Sequence, residues 1–267
     1  MQIMDLLNII NPQKHNYPVI VSIPHSGTFV PIDIRDKMLP NVILSNTDWF
    51  LKELYSFLET MDITTISSNI SRYVVDLNRD PSRDIKGKDY RETIVYDCNT
   101  FGTPLYSDPL SCDEIQKRIN QYYVPYHEKL ECLINEKLTY FRKVLLLDLH
   151  SFCVDFKPGA DEDICLSNYN NQTASKEIMQ SLYEGLNAQG YSVRLNTIRG
   201  RYILKKYKEL FQNRIDCIQM ELRYSQYIGD RYYGEEELNS WDTALFSSTQ
   251  KKLQAAFIKL FHGLERT

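Results

Sequence analysis

Two histidines, His25 and His150, are the residues best placed to do chemistry in this chain of 267 residues. Each follows a run of branched apolar residues, VIVSIP before His25 and VLLLDL before His150. Such runs read as buried strands. In open α/β sheets, ligands bind at the carboxyl ends of strands. Neutral imidazole is a common zinc ligand, and a catalytic zinc keeps three protein ligands and one open position. One histidine at a strand end is as well explained by a satisfied structural side chain; two at equivalent positions point to a shared metal. The third ligand must be a carboxylate or another histidine. His15, His127 and His262 fall in a polar N-terminal stretch or in helical segments and read as ordinary surface or helix residues. Asp48 is the best carboxylate. Its alternative role is an N-cap or first-turn charge at the start of a helix.

Glu221 closes another apolar run, CIQMEL. A carboxylate there is either paired with a cation such as Arg223 or poised to move a proton to and from a water. The segment SRYVVDLNR carries Arg72, Asn78 and Arg79. A guanidinium fork binds a carboxylate through two hydrogen bonds, and a second guanidinium can stabilise an oxyanion. The same pattern also fits a strand edge with surface ion pairs.

These residues need a frame. Strands are expected at 18–24, 63–67, 73–77, 143–149, 191–196 and 217–222, from their apolar or alternating character. A helix is expected to start at Asn46–Thr47–Asp48, with Leu51, Leu54 and Leu58 on its buried side. A capping box from Ser111 to Glu114 opens a long helix that Pro125 kinks or splits. Further helices are expected at 173–189, stopped by Gly190, and at 241–264. Residues 82–109 are polar and rich in turn formers, and read as a long loop or lid. Strands alternating with helices argue for a three-layer α/β/α sandwich, and the length for one domain spanning residues 1–267.

Bulk properties exclude several classes. A net charge of -4 gives no electrostatic reason to expect nucleic acid. No apolar run approaches membrane-spanning length, so no membrane partner is expected. The six cysteines form no CxxC pair and no signal-peptide pattern precedes them. They read as reduced thiols in a cytoplasmic protein.

Taken in chain order, the segments PVIVSIPHSGTFVP, TDWFLKELY, SRYVVDLNRDP, GTPLY, RINQYYVPYHEKL and VLLLDLHSF resemble the N-formylglutamate amidohydrolase family. DLNR and a strand ending in ELR are also similar to elements of zinc carboxypeptidases and aspartoacylase-type deacylases. The resemblance implies a zinc-carboxypeptidase-like (phosphorylase/hydrolase-like) sandwich with a central mixed sheet. It implies one zinc, or another divalent ion, on His25, Asp48 and His150. It implies Arg72 on the carbonyl oxygen, Asn78 and Arg79 on a substrate carboxylate, and Glu221 as general base and acid. The implied substrate is a small anionic N-acyl amino acid, N-formyl-L-glutamate, cleaved to formate and glutamate. The alternatives are another acyl group, a C-terminal peptide bond, or a non-catalytic member that binds an anion or partner protein. Two departures stand out. The carboxypeptidase-like HxxE spacing is absent, because Thr28 is the third residue after His25. Family members often carry a Pro-aromatic, Gly-Gly stretch where this chain has Asn196, Thr197, Ile198, Arg199, Gly200 and Arg201.

Overall fold

A computed structural model describes residues 6–82, 93–153, 162–198, 202–229 and 237–264. Seven strands form one sheet: β1 (Leu7–Ile10), β2 (Val19–Ile23), β3 (Thr64–Ser68), β4 (Val144–Phe152), β5 (Ile164–Ser167), β6 (Val193–Leu195) and β7 (Ile215–Arg223). Their spatial order is β1-β3-β2-β4-β7-β5-β6. β3, β2, β4 and β7 are mutually parallel. β1 joins one side antiparallel to β3, and β5 joins the other antiparallel to β7. The sheet is therefore mixed.

Side chains alternate between the two faces of a strand, and here the alternation sorts two cores. Val19, Val21, Ile23, Leu145, Leu147, Leu149, Ile218, Met220 and Leu222 point to one side. They pack under α2 (Leu51–Leu54), α3 (Phe57–Thr60), α6 (Lys176–Asn187) and α8 (Thr243–Leu264). Ile20, Leu146 and Cys217 point to the other. That side is covered by α1 (Ile32–Arg35), α4 (Cys112–Arg118), α5 (Val124–Tyr140) and α7 (Tyr202–Phe211). The result is the three-layer α/β/α sandwich. Continuing each strand on the second face, the apolar residues give way to Ser22, Asp148, His150, Gln219 and Glu221. The sheet thus gathers its polar side chains at the carboxyl ends of its central strands.

Several elements differ from the sequence expectation. The helix expected at Asn46 begins only at Leu51, and Phe50 precedes it in a left-handed conformation at φ 56°. Asp48 is therefore in the approach to α2 and is not its N-cap. The apolar run at 73–77 forms no strand. Its backbone bonds outside the sheet instead: Val74 N donates to Ser71 O at 2.9 Å, and Asp76 N to Ile94 O at 2.7 Å. His150 lies within β4 and not beyond it. β1, β5 and α7 were not anticipated. The capping serine holds, with Ser111 Oγ accepting from Glu114 N at 3.2 Å. Pro125 sits in the first turn of α5, after a π-helical stretch, Ile119–Tyr123, that joins α4 to it. Proline lacks the N–H that a continuous α-helix would use there. Residues 93–109 contain no helix or strand; the rest of the anticipated loop, 83–92, lies outside the described residues. No helix among the described residues is long and apolar enough to cross a membrane.

His127, expected to be an ordinary helix residue, is buried in α5. Its Nε2–H donates to Leu77 O at 2.9 Å, and its Nδ1 accepts from the Tyr207 hydroxyl at 2.9 Å. It therefore clamps α5 and α7 to the backbone just before Asn78. Burial pushes its pKa down to about 3. Between that value and about 6.5, the unfolded chain binds a proton that the folded chain does not. Stability is thus fully present above about pH 6.5 and is lost as pH falls toward 3, by up to about 5 kcal/mol. Denaturant unfolding as a function of pH is expected to show this slope in the wild-type protein and a flatter one in H127Q. Equal slopes in the two proteins would contradict it.

Candidate functional site

β2 carries His25 past Pro24 to the edge of the sheet, and β4 presents His150 beside it. The two rings lie 4.8 Å apart, edge to face. Asp48 reaches them from the approach to α2. Its N–H donates to His25 O at 3.2 Å, and Ser26 Oγ accepts from Leu51 N at 3.0 Å, satisfying the start of α2. Gly27 is needed for this path: a Cβ there would lie 2.4 Å from the carbonyl carbon of Asn69. The three consecutive residues thus have separate tasks: His25 faces the site, Ser26 ties in α2, and Gly27 lets two backbones touch.

Asp48 Oδ2 lies 3.0 Å from His150 Nδ1 and 3.8 Å from His25 Nδ1. One donor atom from each of the three residues falls within 4.8 Å of the others. Ligand atoms around a tetrahedral zinc stand about 3.3 Å apart, so small side-chain shifts bring the trio to that spacing. The far side of each ring is held by a carboxylate. His25 Nε2–H donates to Asp76 Oδ1 at 2.8 Å, and His150 Nε2–H donates to Asp148 Oδ2 at 2.8 Å. Carboxylates accept only, so each fixes its ring with Nδ1 turned toward Asp48. A histidine bound to a metal is usually oriented in this way.

The surrounding charge favours a cation. Among the described residues, the carboxylates Asp48, Asp76, Asp148 and Glu221 gather here, with the guanidiniums of Arg72 and Arg79 beside them. Burial works against a charged His150, yet Asp148 and Asp48 raise its pKa well above the usual range. A cation shared by the two Nδ1 atoms and Asp48 would answer the same electrostatic demand as that proton. His25 is shifted the other way, lowered by burial and then by Arg72, which keeps its Nδ1 a free lone pair. Two imidazoles and one carboxylate fit a small divalent ion.

Asp76 is the hub behind them. It accepts from His25, from Arg72 Nη2 at 3.0 Å, from the Asn78 N–H at 2.8 Å and from the Tyr96 hydroxyl, with Arg79 Nη1 at 3.7 Å. Burial opposes its charge, but Arg79, His25 and Arg72 hold it well below the usual carboxylate range. Arg72 also donates to Asn46 O at 3.1 Å and to the Tyr96 oxygen at 3.1 Å. The Nε atoms of Arg72 and Arg79 are buried and have no hydrogen-bond partner among the described residues. They are donors held ready for an acceptor. Asn78 spends its amide on the protein, with Oδ1 accepting from Ile203 N at 2.9 Å and Nδ2 donating to Asp148 at 3.3 Å.

Glu221 stands in register with His150 on the adjacent strand. Parallel neighbours in register point to the same face. Gln219 Nε2 donates to Glu221 Oε1 at 2.7 Å, and burial followed by the field of Asp48 pushes the Glu221 carboxyl up to about 8. Arg223, the alternative partner, instead donates through Nε to Glu162 O at 2.6 Å and lies over the Phe152 ring.

The structure gathers His25, Asp48, Arg72, Asn78, Arg79, His150 and Glu221 at one end of the sheet. Residues 199–201, in the segment where the chain departs from the family pattern, lie outside the described residues. Sequence reasoning gave no role to Asp76, Asp148 or Tyr96. Asp148 was readable in principle, two residues before His150 on the same strand face. Asp76 and Tyr96 depend on contacts across the chain that no local pattern announces.

The sequence model of the N-formylglutamate amidohydrolase family matches residues 17–228. The chain belongs to that family. An N-formylglutamate deformylase from Pseudomonas putida is 29% identical over 230 residues, covering 82% of this chain and 85% of the relative. A second N-formylglutamate deformylase, from Pseudomonas aeruginosa, is 28% identical over 233 residues, covering 84% and 86%. The crystal structure of an N-formylglutamate amidohydrolase from Ralstonia eutropha JMP134 shares the fold, with a TM-score of 0.81 at 22% identity over 98% of this chain and 99% of that one. In this amidohydrolase-family chain the matched region runs from just before β2 to just after β7. It therefore includes every candidate site residue.

If Asp76 orients His25 and anchors Arg72, removing its charge will loosen both. D76N is expected to weaken the affinity of His25, Asp48 and His150 for a divalent cation about 10- to 100-fold, measured by competition with a chromogenic chelator. Unchanged affinity would show that the hydrogen bond to His25 does not act on the ligand set.

Proposed function

We propose that this chain hydrolyses the amide of N-formyl-L-glutamate, giving formate and L-glutamate, with one zinc ion held by His25, His150 and Asp48. The observation that carries the reading is the convergence of one ring nitrogen from each histidine and a carboxylate oxygen of Asp48 within 4.8 Å of one another, with Asp48 Oδ2 3.0 Å from His150 Nδ1 and 3.8 Å from His25 Nδ1, beside the register position of Glu221. The Pseudomonas relatives are N-formylglutamate deformylases, which supports this substrate. Two nitrogens and one oxygen favour zinc over the all-oxygen sites that magnesium and calcium use. The family match over 17–228 and the return of α8 onto the sheet support a single catalytic domain over 1–267.

When bound, the ion supplies Lewis-acid polarisation of the amide carbonyl and acidification of water. Glu221 takes the proton from the attacking water and returns it to the nitrogen as the C–N bond breaks. Its raised carboxyl pKa favours the protonated form, which suits the return of the proton to the nitrogen. Gln219 fixes Oε1, which leaves Oε2 to carry the proton. Arg72 donates to the oxygen on which charge develops. Asp76 and Tyr96 hold its guanidinium, so no reorientation is needed in the transition state. Arg79, with its buried and unpartnered Nε, binds a substrate carboxylate. Water adds to the formyl carbon, and the departing amine gains the proton that balances the products.

The test combines metal analysis with formate release. Purified protein is expected to hold one zinc per chain and to release formate from N-formyl-L-glutamate faster than from other N-acyl amino acids. E221A is expected to keep its zinc and lose about 10²- to 10⁴-fold in turnover. Near wild-type turnover in E221A would remove Glu221 from the proton-transfer role. Preference for a different acyl group would replace the substrate and leave the chemistry.

A further inference from the structure

The Asn78 side chain does not point at open space. It is buried, and both ends of its amide are used. Oδ1 accepts from the backbone N–H of Ile203, in the first turn of α7, at 2.9 Å. The first N–H groups of a helix have no partner within the helix, so Asn78 caps α7 from a distant part of the chain. That acceptance also fixes the amide's orientation, because only the oxygen can accept. The opposite end is therefore the NH₂ group. It donates to Asp148 Oδ2 at 3.3 Å and lies 3.2 Å from His150 Nε2. His150 Nε2–H donates to the same oxygen at 2.8 Å. The other oxygen of Asp148 accepts from Ser22 Oγ at 2.7 Å, and Ser22 is backed by the Tyr126 hydroxyl at 3.0 Å.

We propose that Asn78 is a positioning residue. It acts through Asp148 on His150, and it couples that pair to α7. It does not serve as a contact for the substrate carboxylate. The inference rests on the reading of His150 as a metal ligand. Asp148 can hold the ring in one orientation only if its own oxygens are held, and Asn78 and Ser22 hold one each. The backbone around Asn78 is fixed for the same purpose: His127 donates to Leu77 O and accepts from Tyr207 of α7. Segment 77–78 is thus fastened to α7 at two points. Arg79, one residue on, keeps an unpartnered buried Nε and remains the carboxylate contact. Adjacent residues thus divide the work, one toward the metal site and one toward the substrate.

The test compares N78A and R79A in two measurements. The first is zinc affinity without substrate, by chelator competition. The second is kcat and KM for N-formyl-L-glutamate and for analogues with each carboxylate replaced in turn by a carboxamide. N78A is expected to weaken zinc binding about 10- to 100-fold and to lower kcat with KM within about twofold. Its factor should be the same for the acid and the amides. R79A is expected to raise KM for the acid, with the effect vanishing for one amide. If N78A instead raises KM for the acid alone and leaves zinc affinity intact, Asn78 is a substrate contact and the inference is overturned. Should N78A fail to fold, the wild-type protein crystallised with L-glutamate gives the same decision. Asn78 should keep its bonds to Ile203 and Asp148, with no glutamate carboxylate oxygen within hydrogen-bond distance; such a contact would overturn the proposal. Failure of the underlying reading has a different signature: wild-type protein that neither binds zinc nor releases formate, in which case the inference falls with it.

Discussion

A single buried carboxylate, Asp76, sets the conditions for everything around it. Isolated in the interior, it would be expelled or protonated. It stays ionised because His25, Arg72, Tyr96 and the Asn78 N–H donate to it and Arg79 stands close by. Removing one member of such a set strands the others, which is why breaking a buried ion pair costs more than forming it gains. The same carboxylate orients an imidazole on one side and a guanidinium on the other. The candidate metal position and the candidate oxyanion position are therefore fixed relative to each other by one group. This also accounts for the backbone of 71–79. A strand would put Arg72 and Asp76 on the same face but about 13 Å apart along the chain, too far for the 3.0 Å pair they make. The observed coil wraps the segment around the carboxylate.

The sheet supplies the second constraint. Alternation along β2, β4 and β7 sends one set of side chains into an all-apolar core and the other toward α5 and α7. On that second face the apolar residues run out before the strands do. Ser22, Asp148, His150, Gln219 and Glu221 occupy the remaining positions, in register across neighbouring strands. Histidine and glutamate are brought together by hydrogen-bonded backbone, the most rigid device a protein has. Asp48 arrives by a bend before α2, pinned through His25 O and Ser26 Oγ.

Much of this was legible in the sequence, for physical reasons that differ by residue. His25, His150 and Glu221 each end a β-branched or leucine-rich run, and period-two burial makes such runs recognisable. The helix stop at Gly190 and the capping serine at 111 are local devices that show themselves in residue types. Asp48 could be selected only as a carboxylate at a polar junction; the reason it faces the histidines is a backbone bond to a residue 23 positions earlier. The 73–77 run failed as a strand because burial around Asp76 outweighed β-propensity. His127 was misread because its two partners, Leu77 O and Tyr207, lie 50 and 80 residues away. β1 and β5 have four residues each, too few for alternation to stand out. Asp76 itself carried no local signal, since its role consists entirely of contacts to other segments.

In the proposed function a single ion sits between the two Nδ1 atoms and Asp48, with Asp76 and Asp148 behind the rings. Anomalous diffraction at the zinc edge from zinc-loaded crystals tests it most directly. The predicted result is one peak about 2.0–2.2 Å from His25 Nδ1, His150 Nδ1 and a carboxylate oxygen of Asp48, with both Nε2 atoms still bonded to their carboxylates. A peak coordinated through either Nε2, or by residues other than these three, would contradict it.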